Sequence, residues 1–181
     1  LYDRLGYVTQ KATLFAGSVR DNVFFGQSRA AHTDDALRQA LSLSQAQEFV
    51  EKYPEGPAHA IAQLGRNVSG GQKQRLSIAR ALARGTEILI FDDSFSALDY
   101  RTDAKLRAGL NEQLAAATKI IVAQRISTIR HADQILVLDR GEIVGRGTHE
   151  ELMAACPVYQ QIAASQLSAA ELAEGGARHE A

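Results

Sequence analysis

The chain has 181 residues, 45% hydrophobic and 23% charged, a globular composition that excludes a disordered or fibrous protein. Twenty lysines and arginines against twenty-one aspartates and glutamates give a net charge of −1, which argues against an overall basic surface for nucleic acid. The single cysteine, Cys156, has no partner for an internal disulfide and fits a reducing compartment. No apolar run reaches the roughly 18 residues of a membrane helix, and no signal peptide opens the chain. Leu1 stands first in place of Met and leads almost at once into a strand-like run, so the chain reads as a piece of a longer one.

In chain order, residues 5–9 read as a buried strand ending at Gln10. Thr33 before Asp34 and Asp35 has the pattern of a helix N-cap with an acidic first turn. Leu37, Ala40, Leu41 and Leu43 continue that helical stripe towards Phe49 and Val50, and Pro54, Gly56 and Pro57 break it. Ser69, Gly70 and Gly71 precede a helix over 72–83. Residues 88–91 form a continuous apolar run stopped by two carboxylates, the pattern of a strand covered on both faces. Residues 105–117 read as a helix and 120–123 as another buried strand. Residues 135–138 and 142–144 flank Asp139, Arg140 and Gly141, a hairpin signal. Thr148 with Glu151 three residues on is a capping box. From Ser165 the chain turns Ala/Glu-rich, and a frayed tail is expected over 165–181. Strands separated by helices predict an α/β fold with a mostly parallel sheet flanked by helices.

Two segments carry chemistry. In the run Val68, Ser69, Gly70, Gly71 and Gln72, the glycines let a phosphate approach the backbone, and the following helix aims N–H groups and a positive dipole end outward. Ser-Gly-Gly on its own reads as a helix cap with a turn. Asp92 and Asp93 end the apolar run; a carboxylate there suits a magnesium–phosphate site, since hard cations take oxygen ligands, but it also simply ends a strand.

Together these segments resemble the nucleotide-binding domain of ATP-binding cassette (ABC) transporters of the exporter type, over residues 5–166 or so. Residues 68–72 are similar to the family's signature motif, with Val68 where Leu is usual. Residues 88–92 resemble the Walker B strand, with Asp92 as the magnesium-side carboxylate, and 96–99 resemble the D-loop, ending on Asp99. Gln10 stands where the Q-loop glutamine belongs, which implies a place at the metal with Asp92. Residues 14–23 resemble the exporter segment that faces the coupling helices of the membrane domain, and 147–152 the family's C-terminal helix entry.

The resemblance implies a partial P-loop-NTPase-like ABC ATPase domain over 1–164, with a helical subdomain at about 27–84 carrying the signature. It implies ATP and Mg2+ as cofactors, a second nucleotide-binding domain as partner, and a membrane domain. It also implies a place on the cytoplasmic face of the plasma membrane, with no nucleic acid involved. Nucleotide-binding roles fall to Ser69, Gly70, Gly71, Gln72 and Asp99, and catalytic roles to Asp93, Gln124 and Gln10.

Three departures qualify it. No Gly-x-x-x-x-Gly-Lys-Ser/Thr occurs, so the phosphate-cradling loop is absent from these residues and the piece alone is expected to hold ATP poorly. Asp93 takes the position of the catalytic glutamate, one methylene shorter, and Gln124 replaces the switch histidine and cannot titrate. Residues 61–66 also lack the glutamate that exporters usually carry there. Damaged residues at its own site beside an intact signature suit a heterodimer with one weak and one competent site. The alternatives are a soluble ABC ATPase of DNA repair or translation, and a non-catalytic ATP-sensing module.

His32, His59, His131, His149 and His179 lack metal-ligand spacing and read as solvated. Lys73, Arg75, Arg80 and Arg84 read as a solvated helix face, and the Asn67-Val68-Ser69 sequon, inside the signature, is discounted for glycosylation.

Overall fold

A computed structural model describes residues 4–26 and 32–166. The chain divides into two compact units, Leu1–Val122 and Ala123–Ala181.

The first unit is built on a parallel sheet of three strands in the order β1 (Leu5–Val8), β4 (Ile88–Asp92), β5 (Thr118–Val122). Tyr7 pairs with Ile90, and Asp92 with Val122. Between β1 and β4 run β2 (Gly17–Ser18), α1 (Val19–Val23), α2 (Asp34–Leu43), α3 (Gln47–Val50), β3 (Ala60–Ile61) and α4 (Gly70–Ala83). α5 (Tyr100–Gln113) connects β4 to β5. Val8, Leu89 and Phe91 pack with Ile78 and Ala81 of α4 and Leu106 and Leu110 of α5. A second core gathers Leu14, Val19, Val23, Leu37, Leu41, Phe49, Val50, Val68 and Leu76.

The sheet corrects two expectations. β4 is not covered on both faces: Leu89 and Phe91 are buried, whereas Ile88 and Ile90 stay half-exposed. Nor is β5 a buried strand, since Ile120 and Val122 are 49% and 52% exposed. Alternate residues point to opposite faces, and α4 and α5 pack on only one of them. Tyr7 of β1 lies on the other face too, at 54% exposure.

Helix boundaries also differ. The stripe from Leu37 to Val50 is two helices, broken at Ser44 and Gln45, where Gln45 takes a left-handed φ of 59°. α5 begins five residues before the expected Lys105, because Asp99 caps it: Asp99 Oδ1 accepts from Thr102 N at 3.0 Å. It ends at Gln113, and the chain turns over 114–117 to enter β5.

The second unit holds α6 (Ile126–Ile129), the antiparallel pair β6 (Ile135–Asp139) and β7 (Glu142–Gly147), α7 (His149–Ala155) and α8 (Pro157–Gln166). Arg140 and Gly141 turn the hairpin with φ of 49° and 85°, the two consecutive positive values that a two-residue turn matched to strand twist requires. Thr148 and Glu151 form the expected capping box. Ile126, Ile135, Val137, Leu152, Cys156 and Tyr159 make its core. His149 is not simply solvated: its Nδ1 lies 2.8 Å from the hydroxyl of buried Tyr159, and partial burial lowers its pKa below 6.5. Beyond Gln166 the expected tail lies outside the described residues.

Candidate functional site: a carboxylate cluster and a capped helix

The first group of site residues sits where β1 and β4 end. Parallel strands deliver their carboxyl ends to one edge, where α/β folds bind ligands. Asp92 is the last residue of β4, and Asp93 extends the pairing by one step, its N–H donating to Val122 O at 2.9 Å. Asp93 then takes a left-handed φ of 43°, a conformation that aspartate tolerates better than most residues. Buried Ser94 follows, its Oγ 3.0 Å from Val8 O and 3.2 Å from Asp92 O, so one hydroxyl ties both strand ends together. Across this edge Gln10 Nε2 donates to Asp93 Oδ2 at 3.3 Å, over a sequence separation of 83 residues. Tyr7 donates its phenol to Asp92 Oδ2 at 2.9 Å, and this bond to a carboxylate raises the Tyr7 pKa above 10.0.

Mg2+ fits this donor set in one particular way. Among the described residues there is no group of three or more His, Cys, Asp or Glu that could hold a metal, so a closed protein cage is not formed. Magnesium instead keeps waters and takes one or two carboxylates together with substrate phosphates. Asp92, with Gln10 beside Asp93, could supply oxygens for that arrangement.

The second group starts α4. Ser69 Oγ accepts from Gln72 N at 3.2 Å, and Gln72 Oε1 accepts from Ser69 N at 2.8 Å. This reciprocal box satisfies two of the helix's orphan donors and leaves the amides of Gly70 and Gly71 directed outward. A Cβ on Gly70 would meet nothing within 4 Å, and one on Gly71 only Ala97 O at 3.5 Å. Neither glycine takes a positive φ. Packing and backbone conformation within this chain therefore do not require glycine at either position, and the open space beside them leaves both backbones accessible from outside. Val68 is buried in the helical core, which is how a branched aliphatic serves in place of Leu there.

Asp99 has both carboxylate oxygens engaged by Thr102: the backbone N at 3.0 Å and the Oγ1 at 2.7 Å. Those bonds lower its pKa below 3.8 and make it the cap of α5. Gln124 belongs to the second unit, just before α6, where its carbonyl accepts from Gln166 Nε2 at 2.8 Å. Gln166 Oε1 in turn accepts from Ile126 N at 2.9 Å, so α8 clamps the start of α6.

The exporter-like segment is held by Asn22 from within it and by Arg80 from the helix face expected to be solvated. Buried Asn22 brackets Phe15, accepting from its N–H and donating to its carbonyl, both at 2.9 Å. Arg80 donates to Asn22 O at 2.8 Å, Asn22 Oδ1 at 3.0 Å and Thr13 O at 2.9 Å. Its guanidinium also lies over Phe15 and Phe25, a stacked pair with centroids 4.0 Å apart. Arg75 likewise donates to Gln45 O at 2.9 Å and covers the Phe49 ring. The expectation of a solvated basic face thus fails for Arg75 and Arg80, whose half-buried guanidiniums cap carbonyls of neighbouring segments. Tyr7 was missed as well. Its signal was faint: the only polar side-chain atom in a strand otherwise made of Leu, Gly and Val.

Residues 1–96, more than half of the chain, match the family described as ABC transporter. ABC transporter ATP-binding proteins of Mycobacterium bovis and Mycobacterium tuberculosis are 47% identical over 167 residues, covering 92% of this chain and 28% of theirs. An ATP-dependent lipid A-core flippase of Xanthomonas oryzae is 41% identical over 159 residues, covering 88% of this chain and 27% of the flippase. The chain thus spans little more than a quarter of the length of these relatives. Among solved structures, a bacterial Atm1-family ABC exporter with ATP bound superimposes with a TM-score of 0.85 at 32% identity, over 91% of this chain and 29% of the exporter. The chain belongs to the ABC transporter family, with the α/β fold of its ATPase domain.

Proposed function

We propose that this chain is the signature-bearing and carboxylate-bearing part of the nucleotide-binding domain of an ABC exporter, and that it couples ATP binding and hydrolysis to transport across the membrane. The observation that carries this is the convergence of Gln10 and Asp93, 83 residues apart and 3.3 Å from each other, on the edge where the parallel strands end. In this reading the phosphate-cradling loop and the membrane domain belong to parts of the transporter outside these 181 residues. The helical subdomain spans about 27–84, and the assembly sits with this domain on the cytoplasmic face of the plasma membrane.

Asp93 is the group placed to take the proton of the attacking water, with Gln10 holding its carboxylate and helping to orient that water. Asp92 would hold the cation. Bound with the nucleotide, Mg2+ would neutralise phosphate charge. An aspartate reaches about 1–1.5 Å less far than a glutamate, and a misplacement of that order costs about a hundredfold. Gln124 can donate a hydrogen bond to a γ-phosphate but cannot carry imidazolium charge. Both replacements slow the chain's own site. Ser69, Gly70, Gly71 and Gln72 keep the capped helix start that offers amides to a phosphate, which supports a heterodimer in which they complete the partner's site, with Asp99 on the adjoining loop.

Phosphate release tests the proposal. The full-length protein in lipid vesicles, alone and with its partner, is given Mg2+ and saturating ATP. Magnesium-dependent release is expected to be fast with the partner and slow without it. No release from either preparation would overturn the reading.

A further inference from the structure

Period-two alternation puts Tyr7 on the same sheet face as Ile90, its pairing partner, and as Asp92 two residues further on. An aromatic side chain reaches that diagonal neighbour, and the Tyr7 hydroxyl lies 2.9 Å from Asp92 Oδ2. The ring is 54% exposed and belongs to neither hydrophobic cluster of its unit. Packing within this chain therefore gives no reason for an aromatic here, whereas the hydroxyl has a specific partner. A phenol is protonated at neutral pH, so it donates, and a neutral donor leaves the charge of the carboxylate intact. Asp92 Oδ1 accepts no bond among the described residues, so the contact selects which oxygen stays available.

From this geometry we infer that Tyr7 is a positioning residue for Asp92: its phenol holds one carboxylate oxygen so that the other meets the divalent cation accompanying the nucleotide. The inference rests on the proposed reading of Asp92 as the cation-side carboxylate. A carboxylate held by an outer hydrogen bond does not have to lose its rotation when the cation binds, and partners of this kind are worth about tenfold or more in metal affinity. Tyr7 acts through Asp92 and touches no reacting atom.

The test uses Mn2+ as the probe. The full-length protein, assembled with its partner, is loaded with a non-hydrolysable ATP analogue, and Mn2+ is titrated while free Mn2+ is read by electron paramagnetic resonance. Tyr7→Phe keeps the ring and the strand and removes only the hydroxyl. It should weaken Mn2+ at this chain's site about tenfold, while the analogue's affinity without metal stays at the wild-type value. Asp92→Asn should weaken Mn2+ at least as much. Wild-type Mn2+ affinity in Tyr7→Phe beside a weakened Asp92→Asn overturns the role of Tyr7 and leaves the reading of Asp92 standing. Wild-type affinity in both overturns the two together. An equal loss of metal-free analogue affinity in Tyr7→Phe overturns the role as well, because it shows a general disturbance of the site.

Discussion

The start of α4 and the carboxylate edge of the sheet are built by opposite means. Ser69 and Gln72 satisfy each other across three residues, so the signature segment shapes itself locally. The carboxylate edge instead joins side chains 83 and 85 residues apart and takes form only once β1 and β4 are paired. A locally capped helix start tolerates change elsewhere in the fold, whereas an edge assembled from two strands depends on register, on the bridge of Ser94 and on the left-handed turn at Asp93. Their chemistry differs too: the first offers backbone amides, the second carboxylates. In the proposed heterodimer, the second carries the replaced base Asp93, whereas the first keeps its motif residues Ser69 to Gln72.

The largest expected effect exploits that asymmetry. Ser69→Arg should nearly abolish phosphate release by the full heterodimer, because it destroys the cap and puts a bulky cation where the open face beside Gly70 admits a phosphate. The loss should be on the order of several kcal/mol of transition-state stabilisation. Asp93→Asn should lower total turnover only modestly, since this base is already badly placed. Equal and near-complete losses would show two equivalent sites and end the heterodimer reading, while membership of the family would stand.

A binding measurement separates the two regions from the rest of the transporter. The 181 residues alone should not bind ATP appreciably, since they contain no Gly-x-x-x-x-Gly-Lys-Ser/Thr loop to gather N–H donors and a lysine around the phosphates. Titration with labelled ATP and Mg2+ checks this, and micromolar affinity would show that the helix start and the carboxylates suffice.

A smaller effect is expected from repair. Asp93→Glu combined with Gln124→His should raise hydrolysis at this chain's own site, because it restores reach at one position and a titrating group at the other. The gain should be partial, as the signature facing that site belongs to the partner. Steady-state turnover unchanged from wild type would mean that neither replacement limits the rate.

The two regions were not equally legible in the sequence. The caps at Ser69, Thr33 and Thr148 were readable because an N-cap is a pattern over a few neighbouring residues. The strands were readable as apolar runs, but their burial was not, because coverage of a face depends on which helices pack there. The pairings of Tyr7 with Asp92 and of Arg80 with Asn22 follow no local pattern, being separated by 85 and 58 residues, and only the lone polar atom of Tyr7 in its strand hinted at the first. Arg75 and Arg80 were misread for a related reason: helical spacing shows which residues share a face and says nothing about the carbonyls that await them. Asp99 lay between these cases. Its place before α5 was visible in the motif, yet the expected helix began at Lys105, because the polar run Arg101, Thr102 and Asp103 hides the apolar period.

The smallest expected effect compares the two caps themselves. The Ser69 hydroxyl does not titrate, so Ser69→Ala should cost about 1 kcal/mol of stability by the same amount at every pH. Asp99 behaves differently. Its bonds from Thr102 lower its pKa below the 3.8 that it has in the unfolded chain, so the folded state binds fewer protons in that interval. The stabilisation is therefore fully present above about pH 3.8 and is lost as the pH falls through the lowered value. Asp99→Asn keeps an oxygen for the cap but cannot titrate. The stability difference between wild type and Asp99→Asn should hold constant from pH 7 to about pH 4 and close below that, whereas the difference for Ser69→Ala should stay flat throughout. Urea-unfolding midpoints of the three proteins across that range measure both. A flat Asp99→Asn difference at low pH would mean that the Thr102 contacts hold the side chain without favouring its charge, and that the carboxylate side of this molecule caps its helix on the same terms as the signature side.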